Sequence, residues 1–145
     1  MDNVVVIIGP TASGKTKVSI ELAKEIQGEI ISADSMQVYK YMNIGTAKPT
    51  KEEMAGIKHY LIDEVEPSEE FNVVKYQKLA YKYTEEILKK GKVPIVCGGT
   101  GLYINSLVYN IEFADTICDW DLRERLAKEA KKYGNEYVYN KLKAI

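Results

Sequence analysis

Val4-Val5-Val6-Ile7-Ile8-Gly9-Pro10-Thr11-Ala12-Ser13-Gly14-Lys15-Thr16 is an apolar run that passes straight into Gly-x-x-x-x-Gly-Lys-Thr. The apolar half predicts a strand over residues 3–8. It is expected to be fully buried, because a β-branched run bounded by Gly-Pro has no polar face to turn to water. The second half reads as a phosphate cradle: glycine lets the backbone turn tightly enough to aim successive N–H groups at one anion, and the following helix adds its positive N-terminal end. In such a loop Lys15 reaches the outer phosphates and the Thr16 hydroxyl ligates Mg²⁺. At typical residue frequencies the four fixed positions arise by chance in only about one chain in 200 of this length. The loop leaves open which phosphate compound it holds and what is done to it.

Beyond the loop, Val18, Leu22 and Ile26 recur at helical spacing with Ser19 and Ala23 beside them, and Gly28 is placed to end that helix. Glu29 to Ala33 reads as a second strand ending at Asp34, and His59 to Ile62 as a third ending at Asp63. Asn72 is a good N-cap for a long amphipathic helix whose Tyr76, Leu79, Ala80, Tyr83 and Ile87 share a face and which closes at Lys89-Lys90-Gly91. Val93 to Cys97 is a fourth strand, followed by Gly98-Gly99-Thr100-Gly101 and a helix over Leu102 to Val108. Alternating strands and helices predict an α/β fold with a parallel sheet covered on both sides. Ligands bind such sheets at the carboxyl ends of the strands, where Gly9–Thr16, Asp34, Asp63 and Gly98–Gly101 all fall. An acidic loop, Glu112 to Asp119, then leads to helical segments 121–133 and 135–144 separated by Gly134. Leu122, Leu126, Ala130 and Tyr133 form one narrow apolar stripe there.

The chain has 145 residues, 46% hydrophobic and 28% charged, with net charge −1. That is the composition of a folded domain with a real core, neither disordered nor membrane-spanning. No apolar run approaches a membrane span, and Asp2 precedes the first strand without a basic leader, so a cytoplasmic protein without a targeting peptide is the expectation. Cys97 and Cys118 lack C-x-x-C spacing, and one histidine, His59, is too few for a Cys/His metal site. Both thiols are expected to be reduced and structural. Overall charge gives no signal for nucleic acid, although residues 121–145 are locally basic.

Asp34 should project into the crevice that holds the phosphate loop. It would either hold Mg²⁺ or accept a proton from a nucleophile, with turn capping as the plain alternative. Asp63 competes for the metal role, but crowding by Glu64 and Glu66 makes a solvated acidic turn its expected state. At Gly98–Gly101 the amides and the Thr100 hydroxyl would donate to a phosphate or to developing negative charge. Tyr39-Lys40-Tyr41 offers rings to stack on a base, though in a chain with 11 tyrosines an ordinary surface or core role is commoner. Arg123 and Arg125 are the only arginines, which argues against a small-molecule kinase, since these usually ring the transferred phosphoryl group with arginines. Arg125 has Asp121 and Glu129 four residues away on either side and reads as a surface ion pair. A capping box of Asp121 and Glu124 would put Arg123 in the first helical turn, where the helix dipole disfavours a cation, so an anionic partner or a neutral surface role is open for it.

Running from Asp34-Ser35-Met36-Gln37-Val38-Tyr39 through Lys40-Tyr41-Met42-Asn43-Ile44-Gly45-Thr46-Ala47-Lys48-Pro49, the chain closely resembles the tRNA dimethylallyltransferases, also called tRNA isopentenyltransferases. The Gly9–Thr16 loop, His59 to Asp63 before Pro67, Phe71-Asn72-Val73 and Gly98 to Tyr103 agree as well, so the resemblance covers Val4 to about Tyr109. It implies a P-loop kinase-like α/β core over residues 1–110 and the beginning of a helical tRNA-binding insertion over 111–145. It also implies prenyl transfer from dimethylallyl diphosphate to the exocyclic N6 amine of an adenosine next to the anticodon, with release of pyrophosphate. On this reading the pyrophosphate lies on Gly9, Pro10, Thr11, Ala12, Ser13, Gly14, Lys15 and Thr16, with Mg²⁺ on Thr16. The resemblance makes Asp34 the base, with Lys15 and Thr100 assisting the leaving group. Asp34, Ser35, Met36, Gln37, Thr100 and Arg123 match positions that contact the tRNA anticodon stem-loop. A monomer is expected.

Tyr60 stands where many members have a second histidine. The family also continues well past this length, so the resemblance implies a fragment or truncated product that is weak or inactive in transfer by itself. Competing readings are a prenyltransferase acting on free adenine nucleotide, a P-loop small-molecule kinase using ATP, and a non-catalytic phosphate-binding fragment.

Overall fold

In the computed structural model, residues 4–113 and 119–145 are described. They fall into two compact units, one up to Glu112 and one from Phe113 onward. The first unit is built on β1 (Val5–Ile8), α1 (Lys15–Glu25), β2 (Gly28–Ala33), α2 (Lys51–Met54), β3 (His59–Tyr60), α3 (Val73–Lys89), β4 (Val93–Gly98) and α4 (Gly101–Val108). Its four strands are all parallel, in the order β1-β4-β2-β3. The helical crossover from β1 to β2 therefore leaves a slot that β4 fills, and β4 pairs with β2 along six positions from Gly28↔Val93 to Ala33↔Gly98. Successive strand residues point to opposite faces. Ile30 and Ile95 meet Ile20 and Ala23 of α1, while Ile31 and Val96 meet Tyr76, Ala80 and Ile87 of α3 and Ile104 and Leu107 of α4. Both faces are covered, as a parallel sheet requires.

Four expectations change in the folded chain. The first strand is only half buried, with Val6 38% and Ile8 61% exposed, because β1 has β4 on one edge and no partner strand on the other among the described residues. Gly28 does not end the helix. The helix closes at Glu25, with the Ile26 N–H donating to the Leu22 carbonyl, and Gly28 opens β2, where a Cβ would lie 2.7 Å from Ile95 Cδ1. The third strand is two residues long, because Leu61 and Asp63 take left-handed backbone angles and Leu61 drops into the core. A short helix, α2, was not expected, although Thr50-x-x-Glu53 is a capping-box sequence and both of its reciprocal hydrogen bonds form. The long helix is as predicted: the Asn72 side chain accepts from the Lys75 N–H, and Gly91, at φ 70°, closes the far end.

At the amino-terminal end of the sheet, opposite the phosphate loop, Glu29 is 4% exposed and held by three donors. Lys92 Nζ donates at 2.7 Å, the Tyr60 hydroxyl at 2.7 Å and Lys90 Nζ at 3.3 Å. Tyr60 thus has a structural use for its hydroxyl, which also accepts from Lys90 at 2.7 Å. Burial pushes the Glu29 carboxyl up, but Lys92, Tyr60 and Lys90 together outweigh it, and the group sits below its ordinary 4.5. The unfolded state then binds the proton more tightly, so this contribution to stability is full above about pH 4.5 and is lost as pH falls through the lower folded value. Urea titrations should therefore show Glu29→Gln clearly less stable than the parent at pH 7, with the gap closing in acid. A constant gap would mean that the carboxylate charge is immaterial.

The second unit contains α5 (Trp120–Tyr133) and α6 (Asn135–Lys143), divided by Gly134 as predicted. Asp119, rather than Asp121 with Glu124, caps α5 by accepting from the Leu122 N–H at 2.8 Å. Arg123 therefore lies two positions deeper than in the expected box, past the first helical turn, with its guanidinium 5.5 Å from the Trp120 ring centroid in a cation–π contact. Glu129, expected beside Arg125, instead pairs with Lys141 of α6 at 2.6 Å. Among the described residues, no helix is long and apolar enough to cross a membrane.

Candidate functional site

The loop from Gly9 to Gly14 joins β1 to α1 and has the conformation that its glycines foretell. Gly14 is the N-cap of α1 at φ 83°, without a side-chain cap, so the amides of the first helical turn are not shielded by a capping group. Ala12 also takes a left-handed angle, φ 62°, a conformation costly for a residue with a Cβ and found where a loop is shaped for a ligand. Lys15 Nζ folds back to donate to the Pro10 carbonyl at 2.5 Å, keeping its charge over the loop. Thr11, Ala12, Ser13 and Thr16 are exposed.

Asp34 and Thr100 arrive from neighbouring strands. Asp34 follows the last residue of β2, and Thr100 follows β4 by two residues. The Thr100 N–H donates to the Ala33 carbonyl at 3.1 Å, and the Ser35 N–H donates to Thr100 Oγ1 at 3.0 Å. That cross-link depends on Gly98, where a Cβ would lie 2.2 Å from the Ala33 oxygen. Asp34 Oδ1 accepts from the Met36 N–H at 2.8 Å and the Gln37 N–H at 3.1 Å. Turn capping thus occupies one carboxylate oxygen and leaves Oδ2. Burial pushes the neighbouring Tyr103 phenol up, and the charges of Tyr39 and Asp34 add to the effect.

Thr11, Asp34, Met36, Tyr41, Ile44 and Thr46 line one cavity of about 630 Å³. The phosphate loop and the candidate base therefore share a single space whose remaining wall is largely apolar. A second cavity, about 640 Å³, runs along Ala12 to Lys17 toward Pro49 and Glu53. Thr16 lies in the first turn of α1 and lines that cavity. Among the described residues no three His, Cys, Asp or Glu side chains converge as a metal cage. One hydroxyl beside a phosphate loop suits Mg²⁺, which keeps its waters and takes phosphate oxygens in place of a full protein shell.

Asp63 is an exposed residue of the turn after β3, as expected, and it also carries an ion pair. Lys48, whose side chain is 4% exposed, donates to Asp63 Oδ1 at 2.6 Å and to the Tyr39 carbonyl at 2.7 Å. This latch fastens the segment carrying Asp34 to the turn after β3, and it was invisible in sequence because its partners are 15 and nine residues apart. The Tyr39-Lys40-Tyr41 cluster is split. Tyr39 bridges to Val65, Lys40 pairs with Glu66 at 2.7 Å, and Tyr41, 76% exposed, faces the cavity. Gln37 is engaged internally, its Nε2 donating to the Thr46 carbonyl at 3.0 Å. Burial pushes the free Cys97 thiol up, in keeping with a structural role, and Cys118 lies outside the described residues. Arg123 belongs to the second unit.

A family model described as IPP transferase matches residues 37–145. Among curated relatives, the tRNA dimethylallyltransferase of Acetivibrio thermocellus is 72% identical over all of this chain and 46% of its own length. That of Alkaliphilus oremlandii is 60% identical over 97% of this chain and 45% of its own. Among solved structures, the full-length tRNA isopentenylpyrophosphate transferase from Bacillus halodurans superposes with a TM-score of 0.78 at 47% identity, covering 98% of this chain and 47% of that one. A eukaryotic dimethylallyltransferase acting on tRNA gives 0.70 at 38% identity, over 81% and 28%. The chain spans about half the length of the curated relatives it matches.

Proposed function

This chain belongs to the IPP transferase family, and on that premise we propose that it binds the donor and carries the base of a tRNA dimethylallyltransferase. The reaction moves a dimethylallyl group from dimethylallyl diphosphate to the N6 amine of an adenosine beside the anticodon. The observation that carries this reading is the shared cavity, which Thr11 of the phosphate loop and Asp34 line together with Met36, Tyr41, Met42 and Ile44.

The loop amides and Lys15 hold the diphosphate. As the amine nitrogen bonds to the allylic carbon, the carbon–oxygen bond to diphosphate breaks, its electron pair leaves with pyrophosphate, and Asp34 takes the proton from nitrogen. The Thr100 hydroxyl accepts from Ser35 and keeps its own proton to donate to the leaving oxygens. Thr16 would hold Mg²⁺, which would supply charge neutralisation at the pyrophosphate oxygens. Ser35, Met36, Gln37 and Arg123 are assigned to the anticodon stem-loop. One chain supplies every residue named, so a monomer suffices, and the acceptor sets the workplace as the cytoplasm.

Calorimetry with dimethylallyl diphosphate and Mg²⁺ tests the donor site. Lys15→Ala should weaken binding by about 10- to 100-fold, the loss of a charge-assisted contact. Labelled donor offered with tRNA, AMP or a metabolite plus ATP then separates the acceptor classes. Phosphoryl transfer from ATP without any prenyl transfer would overturn the reading.

A further inference from the structure

A small cavity of about 30 Å³ is lined by Thr16, Ser32, Gln37, His59, Ile62 and Cys97 among others. Two unfinished polar interactions meet there. His59 Nδ1 lies 2.9 Å from the Ile57 carbonyl, which only accepts, so Nδ1 carries the ring proton and Nε2 presents a lone pair. That Nε2 is buried and has no hydrogen-bond partner among the described residues. The Ser32 hydroxyl, across the same space, reaches Gln37 Oε1 only at 3.4 Å, the outer limit of a hydrogen bond.

We propose that this cavity holds a single water molecule that donates to His59 Nε2 and to Gln37 Oε1 and accepts from Ser32 or Thr16, making His59 a positioning residue for Gln37. The volume suits one water, and three polar partners are the usual number for a buried one. Gln37 deserves such support from its place in the chain: its backbone N–H donates to Asp34 Oδ1 and its side chain holds the Thr46 carbonyl across the Asp34–Pro49 segment. The water ties that segment to β3 from beneath, as Lys48 ties it from the Asp63 side.

His59 is the only histidine, so ¹⁵N-histidine labelling reports on this ring alone. In the unmodified protein, the ring spectrum should show the Nδ1–H tautomer with a hydrogen-bonded Nε2, and His59 should show cross-relaxation to a long-lived water. A bare Nε2 without a water contact would overturn the proposal, and this measurement needs no variant. His59→Phe keeps a ring and removes the acceptor, whereas His59→Gln keeps an acceptor and loses the ring. Exchange of the Gln37 backbone amide should quicken about tenfold in His59→Phe, the loss of one hydrogen bond's worth of support, and return near the parent rate in His59→Gln. The reverse order, with phenylalanine better than glutamine, would show that the ring merely packs.

Discussion

Asp34→Asn should slow dimethylallyl transfer to tRNA by about 10²- to 10⁴-fold, the range of a positioned general base, while leaving donor affinity nearly unchanged. The amine that must attack is a poor nucleophile, since its lone pair is conjugated with the purine ring. A carboxylate that takes its proton as the bond forms has most effect where the nucleophile is weakest. Asparagine is the informative replacement because Asp34 has two jobs. Its Oδ1 caps a turn by accepting from Met36 and Gln37, and an amide oxygen does that equally well. Only the basicity is lost. Asp34→Ala removes both and should add about 1 kcal/mol of instability, as the loss of a cap usually does. Single-turnover transfer of labelled dimethylallyl groups, beside calorimetric donor binding, separates the two. A rate within twofold of the parent for Asp34→Asn would remove the base from the mechanism.

Gly98→Ala should cost more than about 3 kcal/mol, placing it among the severe single substitutions. The added methyl would lie 2.2 Å from the Ala33 oxygen, 2.4 Å from its carbonyl carbon and 2.8 Å from its Cα. All three atoms are backbone of the neighbouring strand, so no rotamer change relieves the clash. β2 and β4 must part where Asp34 and Thr100 leave the sheet. Gly101→Ala is the control: it lies at the start of α4 with nothing within 4 Å of a new Cβ, and alanine favours helix. Chemical denaturation should place Gly101→Ala at or above parent stability and Gly98→Ala far below. Equal midpoints would mean that the strand approach at Ala33 and Gly98 is not as close as described.

Much of the site was legible because its signals are local. A strand, a glycine-spaced loop and a helix within thirteen residues leave one arrangement of backbone amides, and Asn72 at its helix start depends only on its own turn. The misreadings share one origin. The Lys48–Asp63 pair went unread because the neighbours of Asp63 in sequence are acidic, whereas Lys48 approaches it from elsewhere in the chain. Gly28 looked like a helix terminator because glycine commonly is one, but Ile95 of another strand is what excludes a side chain there. The cap at Asp119 displaced a plausible box at Asp121 and Glu124 by a shift of two residues, within the ordinary uncertainty of a helix boundary.

By itself, the run from Val4 to Thr16 determined a strand–loop–helix with the glycine spacing of a phosphate loop, and the segment from Asp34 to Pro49 carried the resemblance to the tRNA dimethylallyltransferases. Both are statements about residues adjacent in the chain, where steric limits on the backbone act directly. Only the tertiary structure decided that β4 slots between β1 and β2, leaving β1 at an edge with half its apolar side chains exposed. That order of strands arises from pairing between residues some 65 positions apart, where no local preference operates. It brings Asp34 beside Thr100 and opens the cavity that Asp34 shares with the loop.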